Sequence, residues 1–540
     1  MCLRLCLVDA SGFNQSFGEV ALVALTCLTV CIIVWHTGSA VASASSPESG
    51  QAIGMRYLAA DPSLRADMSN TRLVVGQATY VGPLVTLGTT DWEKDWYFRN
   101  HDLVSYDQKV YPGQYPKQPW RWWYMLKSRV DGSTCWAYAE SKDGLHWTKP
   151  ILNPNGDSHT SQPNNIAQHD TGYLNPNPNA PGSERYLRVY RQSDDPNFHR
   201  LQVQTSPDGV NFSAPVLVFN EPSSKAYALD GGNQLYWDAT EQKYGLTVRY
   251  WYDTSGNPCG AGIHGFRGGA TKRSETIADL INAPLEYNLK PNDLYGPITG
   301  NCDDIYMTNI VAYHGQFIAT PNVFLSPRDN SRELSTDLLG VSGPLYPQLL
   351  YSRDSKTWCA DTETKGASLI DLNQHNANFN ADGDMIFMEQ IVEQGGKLWF
   401  FYSYRDFPHN SYGGKDGKIR TMTTHIAQMR VDGFMAVANQ PGQIGVWTTP
   451  ALKVPANAEF RLNAVIGEGG TVKVELLDQN GAPLADYAAR NAATVTNGDY
   501  VAVRPTWPGT RSLASLTGRG VKFRFTMTNS YLYSFEFGLR

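Results

Sequence analysis

Short stretches of alternating apolar and aromatic residues recur along most of the chain. A period of two residues is typical of a β-strand, because successive side chains point to opposite faces of a sheet. Five such stretches follow one another at intervals of about 70 residues. They lie at residues 120–126, 186–190, 244–250, 316–323 and 397–404. The pattern predicts an all-β protein built from repeated sheets.

Three of the repeats share a hairpin tip. The heptapeptides SKDGLHW, SPDGVNF and SRDSKTW begin at Ser141, Ser206 and Ser352, and a degenerate copy falls at Ser274. In the three clear copies a strand precedes the serine, Asp-Gly or Asp-Ser makes a tight turn, and an aromatic residue resumes the next strand. Five strands at this spacing, with their tips, predict a closed ring of five four-stranded sheets, which is a five-bladed β-propeller.

The domain boundaries follow from where this repeat ends. It spans residues 70–440, and we expect the strand at 71–76 to complete the last blade beside residues 429–436. After Asn439, short alternating strands such as FRLNAVI, TVKVELLD and VKFRFTMT are separated by Gly, Asn and Pro turns. This arrangement is typical of an antiparallel β-sandwich. The predicted fold class is therefore all-β, a five-bladed β-propeller followed by a C-terminal β-sandwich at 441–540.

The first residues of the chain predict a targeting segment. Residues 20–35 are apolar and carry no charge, and the small residues SAVASA follow at 39–44. This combination is typical of a secretory signal peptide, but the apolar run is also nearly long enough for an uncleaved signal-anchor. Both alternatives place the body of the protein outside the cytosol, either secreted or tethered to a membrane. Residues 1–44 are thus a predicted signal peptide or signal-anchor, and residues 45–69 a linker.

Composition narrows the possible partners. The net charge is -6, and only 18% of residues are charged. Neither value favours binding to nucleic acid, which requires a basic surface. Aromatic residues make up 12% of the chain, which suits both β-sheet cores and sugar-binding surfaces.

Four cysteines lie outside the predicted leader, at Cys135, Cys259, Cys302 and Cys359. Their number allows two disulfides in an oxidising compartment, and we favour the pair Cys259 and Cys302 because both lie in loop-like sequence. No spacing of Cys and His suggests zinc. The sequence therefore predicts no metal site and no cofactor.

Several longer segments resemble a known group of proteins. They are residues 70–98, WRWWYML from Trp120, WAYAESKDGLHWTKP with the following Asn164-Asn165-Ile166, and GGKLWFFYSYRD near residue 400. These segments resemble bacterial proteins described as similar to the N-terminal domain of glycoside hydrolase family 32. Families 43 and 68 belong to the same superfamily of five-bladed propeller glycosidases. The resemblance implies a propeller over residues 70–430 and an activity on glycans, with furanosides favoured.

The sequence departs from family 32 at its best-known motifs. Neither the Asn-Asp-Pro of the first blade, the Arg-Asp-Pro of the second, nor the Glu-Cys pair is intact. Arg405-Asp406-Phe407-Pro408 is similar to the second motif in letters but falls in the last blade. Invertase or levanase activity is therefore not implied.

Glycoside cleavage needs two carboxyl groups on either side of the scissile bond. Our candidates lie at or near the starts of the predicted inner strands: Asp102, Asp230, Asp304 and Glu389. Glu389 lies within DMIFMEQIV, where a carboxylate loses hydration and needs a partner or a raised pKa. We expect Phe387 and Glu389 to share one face of this strand and Met388 to face the other way. Roles in turns, in an ion pair or on an outer face remain the alternatives for these four.

Planar polar groups and aromatic rings are needed to bind sugar hydroxyls and ring faces. The candidates for such substrate contacts are Trp96, Asn165, His169, Arg249, Tyr306 and Arg405. Together these residues predict a glycoside hydrolase-like enzyme that uses paired carboxylates on an extracellular glycan. A propeller that binds a glycan or a protein without catalysis remains the alternative.

Overall fold

The computed structural model describes residues 56–539 apart from 66, 99–102, 110–115, 168–171, 193–196, 223–228, 230–231, 253–265, 291–303, 325–343, 362, 365, 378, 380–383 and 407–421. Strands dominate this part of the chain. The helices found in it are short 3-10 turns at Pro62–Leu64, Asp91–Asp95, Gly182–Glu184, Ala278–Ile281, Leu372–Gln374, Ala489–Asn491, Pro508–Thr510 and Leu513–Leu516. The all-β fold class predicted from the alternating pattern is confirmed.

Five blades of antiparallel strands follow one another along the chain, and a parallel pairing of Leu345 with Met385 joins blades four and five into one eight-stranded sheet. Blade one holds Trp96–Phe98, Leu103–Tyr106, Trp120–Ser128, Thr134–Ser141, Trp147–Thr148 and Ile166–Ala167. Blade two holds Tyr173–Leu174, Tyr186–Gln192, Phe198–Ser206 and Val216–Pro222. Blade three holds Gln234–Asp238, Lys243–Tyr252, Phe266–Ser274 and Glu286–Leu289. Blade four holds Asp304–Tyr313, Gln316–Phe324, Leu345–Pro347 and Leu350–Ser352, and blade five holds Met385–Gln394, Lys397–Arg405, Thr423–Arg430 and Thr79–Pro83.

The blades close into a ring. The inner strands of blades one and two, three and four, four and five, and five and one contact each other. Blades two and three share a core that includes Leu187, Leu201, Leu235 and Leu246. A contact between the last blade and the first requires a closed arrangement, so the predicted five-bladed propeller is confirmed.

The strand that completes blade five is not the one predicted. Thr79–Pro83 pairs with Thr423–Arg430 in that blade, whereas Thr71–Val75 pairs with Met435–Asn439 in the C-terminal sheet. The chain changes sheets after Gly76, where a Cβ atom would lie 1.7 Å from the carbonyl oxygen of Gly433. Only glycine allows this close approach of two backbones. The expectation that residues 71–76 close the propeller beside 429–436 was therefore wrong.

The C-terminal sheet contains strands from both ends of the described chain. Its nine strands are Arg56–Leu58, Asp67–Ser69, Thr71–Val75, Met435–Asn439, Gly445–Thr448, Leu452–Lys453, Ala458–Asp478, Ala493–Val503 and Gly520–Leu539. The first two of these lie within residues 45–69, so part of the segment predicted as a linker contributes strands to the sheet.

The two longest strands of this sheet fold over to make two layers. Phe523 and Phe535 belong to one strand, yet their ring centroids are only 5.9 Å apart. Twelve residues of straight strand would separate them by about 40 Å. The bend lies near Asn529, which has a positive φ, and opposite it Gly467 of the neighbouring strand packs against the Asn529 side chain. The two layers enclose an apolar core, as the predicted β-sandwich requires.

A buried carboxylate joins the propeller to the C-terminal sheet. Asp432 accepts hydrogen bonds from Tyr313 of blade four at 2.7 Å and from Arg56 at 2.9 Å. Its other oxygen accepts from Ser534 at 2.6 Å and from Asn463 at 3.0 Å. Burial acts to raise the pKa of Asp432, but Arg56 and the hydrogen bonds outweigh it and hold the pKa below its usual value. The carboxylate is therefore charged and fully bonded at neutral pH.

Apart from candidate site residues, two sequence predictions concern residues outside the described part. These are the leader at 1–44 and the two members of the proposed disulfide, Cys259 and Cys302. Among the described residues, Cys135 and Cys359 carry free thiols. Within the same residues no helix is long and apolar enough to cross a membrane, and no cluster of three His, Cys, Asp or Glu side chains is suited to a metal ion.

Candidate functional site

The predicted site residues divide into two groups. Asp102, Asp230 and His169 lie outside the described residues, and Asp304 begins its strand with only its backbone described. The other candidates are described and buried: Trp96, Asn165, Arg249, Tyr306, Glu389 and Arg405. The geometry of the site is therefore built from the second group.

The inner strands of blades four and five each contain a β-bulge. In blade four the pairing with the next strand skips Tyr306, and in blade five it skips Glu389. A bulge adds one residue that the partner strand does not match, and this redirects the side chain at that position. Bulges are frequent beside active sites. Both bulged residues are candidates that the sequence had already predicted.

The bulge at Glu389 is held by side chains from the neighbouring blade. The Met388 amide donates to Oδ1 of Asn322 at 2.8 Å, and the Asn322 amide donates to the Met388 carbonyl at 3.3 Å. The Asn309 amide donates to the same carbonyl. Both asparagines are buried. They bond the backbone groups of the residue that precedes Glu389 and so fix the peptide from which its side chain projects.

Glu389 lies on the face of blade five that is turned toward blade one. Its side chain is only 4% exposed, and its Oε1 accepts a hydrogen bond from the Ser403 hydroxyl at 3.1 Å. Ser403 pairs with Phe387, whose ring belongs to the core shared with blade one, whereas Met388 belongs to the core on the opposite face. Phe387 and Glu389 therefore share a face, as predicted. Arg405, two residues after Ser403, lies on that face too.

Tyr306 connects this face to blade three. Its ring lies 5.8 Å from that of Phe387, in an edge-to-face arrangement. The Arg249 guanidinium carbon lies 4.7 Å from the centre of the Tyr306 ring, and that of Arg267 lies 5.7 Å away. Both distances are those of cation–π contacts. A buried wall of two arginines and a tyrosine thus continues from the strand that carries Glu389.

Arg267 was missed by sequence reasoning. It is buried and lies in Phe266–Ser274, where Gly268 and Gly269 follow it. A Cβ at Gly269 would approach the Leu289 side chain within 2.7 Å, so the glycine allows close packing of the outer strand of blade three. The feature of the sequence that could have identified Arg267 is an arginine followed by two glycines within a strand.

Two other predicted substrate contacts have structural partners within blade one. The Asn165 side-chain amide donates to the Tyr124 hydroxyl and to the Tyr138 carbonyl, each at 2.7 Å. Both of its N–H groups are therefore used inside the blade. Trp96 packs against Trp92, with ring centroids 6.2 Å apart, in the core between blades five and one.

A second cluster, also missed by sequence reasoning, lies on the opposite face of blade five. The rings of His375 and His425 are 4.6 Å apart, and His375 stacks on Tyr404 at 4.5 Å. Tyr80 of the closing strand contacts both histidines at 5.6 Å. Burial lowers the pKa of His375 to about 4 and, together with His375, lowers that of His425 to about 3. We therefore expect the cluster to hold the strand Thr79–Pro83 against blade five only while both imidazoles are neutral.

We expect acid to weaken the fold through these histidines. In the unfolded chain they take up protons near their ordinary pKa of about 6.5, but in the fold they do so only near pH 4 or below. The unfolded state thus binds more protons over this range, so the free energy of unfolding falls as the pH drops from about 6.5 to about 4. Thermal unfolding at several pH values should show this decline, and His425→Gln should make it shallower.

Exposed His146 offers a matched control. His146→Gln removes a histidine on an exposed hairpin tip, where its Nδ1 lies 2.7 Å from Asp143, and leaves the His375 and His425 cluster and its contribution to the slope intact. An unchanged slope in His425→Gln would remove the cluster as the cause of acid sensitivity.

Comparisons with known proteins give similarity in structure alone. No family model and no curated protein matches the chain. A β-fructofuranosidase of glycoside hydrolase family 32 from Bombyx mori is 10% identical, covers 83% of this chain and 94% of its own, and has a TM-score of 0.36. The catalytic domain of a family 62 α-L-arabinofuranosidase from Coprinopsis cinerea is 10% identical over 66% and 98% of the two chains, also at 0.36. An α-L-arabinofuranosidase from Fusarium graminearum is 14% identical over 65% and 81%, again at 0.36. Values this low carry no activity over to this chain.

Proposed function

We propose that this protein is a glycoside hydrolase-like enzyme that cleaves an extracellular glycan, with Glu389 as its general acid. The observation that carries the proposal is the placement of Glu389 at a bulge of an inner strand, buried and braced by two asparagines of the next blade. A general acid has to be held in a fixed position beside the scissile bond, and a braced bulge on an inner strand provides such a position. A protonated carboxyl is what a leaving glycosidic oxygen requires.

The second carboxyl group comes from the starts of the other inner strands. Asp304 begins the inner strand of blade four, Asp230 precedes that of blade three, and Asp102 precedes Leu103–Tyr106 of blade one. Blades of a propeller repeat by rotation, so the inner strands that follow these residues begin at the same end of the ring. In this proposal one of them attacks the anomeric carbon or activates water, and Glu389 protonates the departing oxygen.

Three arginines can bind the substrate and stabilise the negative charge that this reaction requires. Arg249 and Arg267 lie against Tyr306, and Arg405 shares the face of Glu389. A guanidinium is always charged and binds hydroxyl or carboxylate oxygens in a fixed geometry. We assign these groups to substrate binding and to holding the second carboxyl group ionised. Furanosides are the first substrates to test, on the strength of the sequence resemblance.

The direct test is a substrate screen with the purified protein. Aryl furanosides and pyranosides, together with natural polysaccharides, are incubated with wild type and with Glu389→Gln, and released sugar is measured. Proton NMR of the first product gives its anomeric configuration. Turnover that depends on Glu389 supports the proposal, and turnover that does not depend on it contradicts it.

A propeller that binds glycan without cleaving it is the second candidate. The absence of the three family 32 motifs favours it. This candidate is supported if wild type and Glu389→Gln bind a glycan with the same affinity and neither protein hydrolyses it.

Asn322 supplies a test of how Glu389 is positioned. We expect Asn322→Ala to lower kcat by about tenfold or more with little change in KM, because a small displacement of a catalytic group is costly. The free energy of unfolding should fall by about 1–3 kcal/mol, since the buried Met388 amide loses its acceptor. Asn220→Ala, at an exposed asparagine of blade two, is the matched control. An unchanged kcat in Asn322→Ala would show that the bulge does not position the acid.

A further inference from the structure

Ser403 bonds the carboxyl group of Glu389 from the neighbouring strand of blade five. Its hydroxyl donates to Oε1 of Glu389 at 3.1 Å, and only 1% of Ser403 is exposed. The strand Lys397–Arg405 pairs with Met385–Gln394 on one side and with Thr423–Arg430 on the other. A strand that is paired along both edges is a rigid element, so the donor is held in a fixed position.

Ser403 is a small polar residue in an aromatic stretch of its strand. Trp399 and Phe401 lie on the same face, and both belong to the core shared with blade one. A hydroxyl that is buried among aromatic rings loses its bonds to water and needs a partner inside the protein. The carboxyl group of Glu389 is such a partner. The serine at this position is therefore explained by its bond to Glu389 rather than by packing.

Other titratable or charged residues surround Glu389. They lie on the strand of Ser403, on the inner strands of blades four and one, and in blade three behind the inner strand of blade four. These residues are Arg405, Tyr306 with Asp304, Tyr106, and Arg249 with Arg267. A substitution at Ser403 leaves all of them in place. A difference between wild type and Ser403→Ala therefore reports the hydroxyl group itself.

The hydrogen bond from Ser403 distinguishes the two oxygens of Glu389. A protonated carboxyl group accepts best at its carbonyl oxygen and carries the proton on the other oxygen. Because Ser403 donates to Oε1, the proton belongs on Oε2. After the proton has left, the same donor stabilises the carboxylate, since hydrogen bonds to an ionised acceptor are about twice as strong as neutral ones.

We propose that Ser403 is a positioning residue, which places the proton on Oε2 of Glu389 and sets the pH above which this acid loses it. The inference rests on the function proposed above for Glu389. In the reaction the proton passes from Oε2 to the glycosidic oxygen, and the bond from that oxygen to the anomeric carbon breaks with its electron pair on the oxygen. The second carboxyl group, or the water that it activates, forms the new bond to the carbon. Glu389 is left as a carboxylate that keeps its bond from Ser403.

The pH dependence of turnover tests this inference. The value of kcat/KM is measured across the pH range of activity for wild type and Ser403→Ala, on an aryl glycoside that wild type hydrolyses. Loss of the donor destabilises the ionised acid, so the alkaline limb should move up by about one pH unit. The acidic limb reports the second carboxyl group and should stay in place. An alkaline limb that does not move would overturn the proposal.

Thr424→Val is the matched control for this profile. Thr424 pairs with Ser403 in the next strand, is 3% exposed, and its hydroxyl makes no hydrogen bond to the described residues. Valine has nearly the shape of threonine, so this variant removes a buried hydroxyl next to Ser403 and leaves the bond to Glu389 intact. Its pH profile should match that of wild type. A shift equal to that of Ser403→Ala would count against a specific role for Ser403.

A double-mutant cycle gives a second measurement that needs no turnover. Urea unfolding of wild type, Ser403→Ala, Glu389→Gln and the double variant at several pH values yields the coupling between the two side chains. The loss of stability in Ser403→Ala should be small where Glu389 is protonated and should grow as the pH rises and Glu389 ionises, because the donor stabilises the folded carboxylate. In the Glu389→Gln background this loss should not vary with pH.

The two measurements separate this inference from the proposed function. Turnover that does not need Glu389, together with a coupling that grows with pH, would contradict the function and support the control of Glu389 by Ser403. A coupling that does not vary with pH would overturn the inference, even if Glu389→Gln abolishes turnover.

Discussion

Replacement of Glu389 by glutamine is expected to lower kcat by about 10²–10⁴-fold, which is the usual contribution of a general acid. Glutamine has nearly the same shape and can still accept from Ser403, but it has no proton to give to the leaving oxygen. The free energy of unfolding should therefore change little. Initial rates on aryl glycosides, together with urea unfolding of the same preparations, measure both quantities.

The leaving group provides a sharper version of this experiment. An aryl glycoside whose phenol is strongly acidic departs without protonation, so the loss in Glu389→Gln should be smallest for such substrates and largest for alkyl or sugar leaving groups. Glu393→Gln is the matched control, since Glu393 lies on the same strand but is exposed, and its carboxylate lies 2.8 Å from Nε2 of His314. Equal losses for all leaving groups would mean that Glu389 has another role.

Asp432→Ala is expected to reduce the free energy of unfolding by about 3–5 kcal/mol, because removal of one partner leaves buried polar groups unsatisfied. Tyr313, Asn463 and Ser534 are buried and donate to this carboxylate, and all three would lose their acceptor. Since these residues belong to the propeller and to the C-terminal sheet, the variant should loosen both together. Denaturant unfolding followed by tryptophan fluorescence and by circular dichroism measures the change.

Asp499 offers a matched control for this effect. It pairs with Arg430 at 2.7 Å, but its side chain is 71% exposed. Exposed ion pairs contribute about 0–1 kcal/mol, so Asp499→Ala should be nearly neutral. Similar effects of the two substitutions would contradict a structural role for the Asp432 junction.

The repeat was predictable because its chemistry is local. In each clear hairpin tip the aspartate accepts from two backbone amides just after it, as Asp143 does from Leu145 and His146 at 2.9 and 2.8 Å. The serine hydroxyl bonds the turn as well. These contacts span only a few residues, so their sequence pattern is visible in the three clear copies and reveals the period of the blades.

The closing strand was not predictable by the same means. Residues 71–75 (TRLVV) and 79–83 (TYVGP) both contain β-branched or aromatic residues typical of strands, and the choice between the two sheets depends on partners more than 340 residues away. A strand pattern shows that a segment will pair but does not show with which edge.

Glu389 could be predicted as the candidate acid from the sequence for a different reason. A glutamate among Met, Ile and Phe is costly to bury, and this local conflict marked position 389. The bulge itself depends on Asn322, which bonds Met388 from 66 positions earlier in the chain, and could not be foreseen. The two histidines at 375 and 425 were missed because no local conflict singles them out, and Arg267 was missed although two glycines follow it in its strand.

The propeller is closed by a strand from early in the chain, Thr79–Pro83, and this limits the order in which the protein can fold during its synthesis. Blades two and three are each made from one continuous stretch and can form as soon as that stretch leaves the ribosome. The early strands Arg56–Leu58, Asp67–Ser69, Thr71–Val75 and Thr79–Pro83 instead wait for partners that lie beyond residue 422. Throughout most of translation these strands have unpaired edges, which are prone to aggregation. Resistance to protease is therefore expected to appear in one late step, when the last hundred or so residues have emerged.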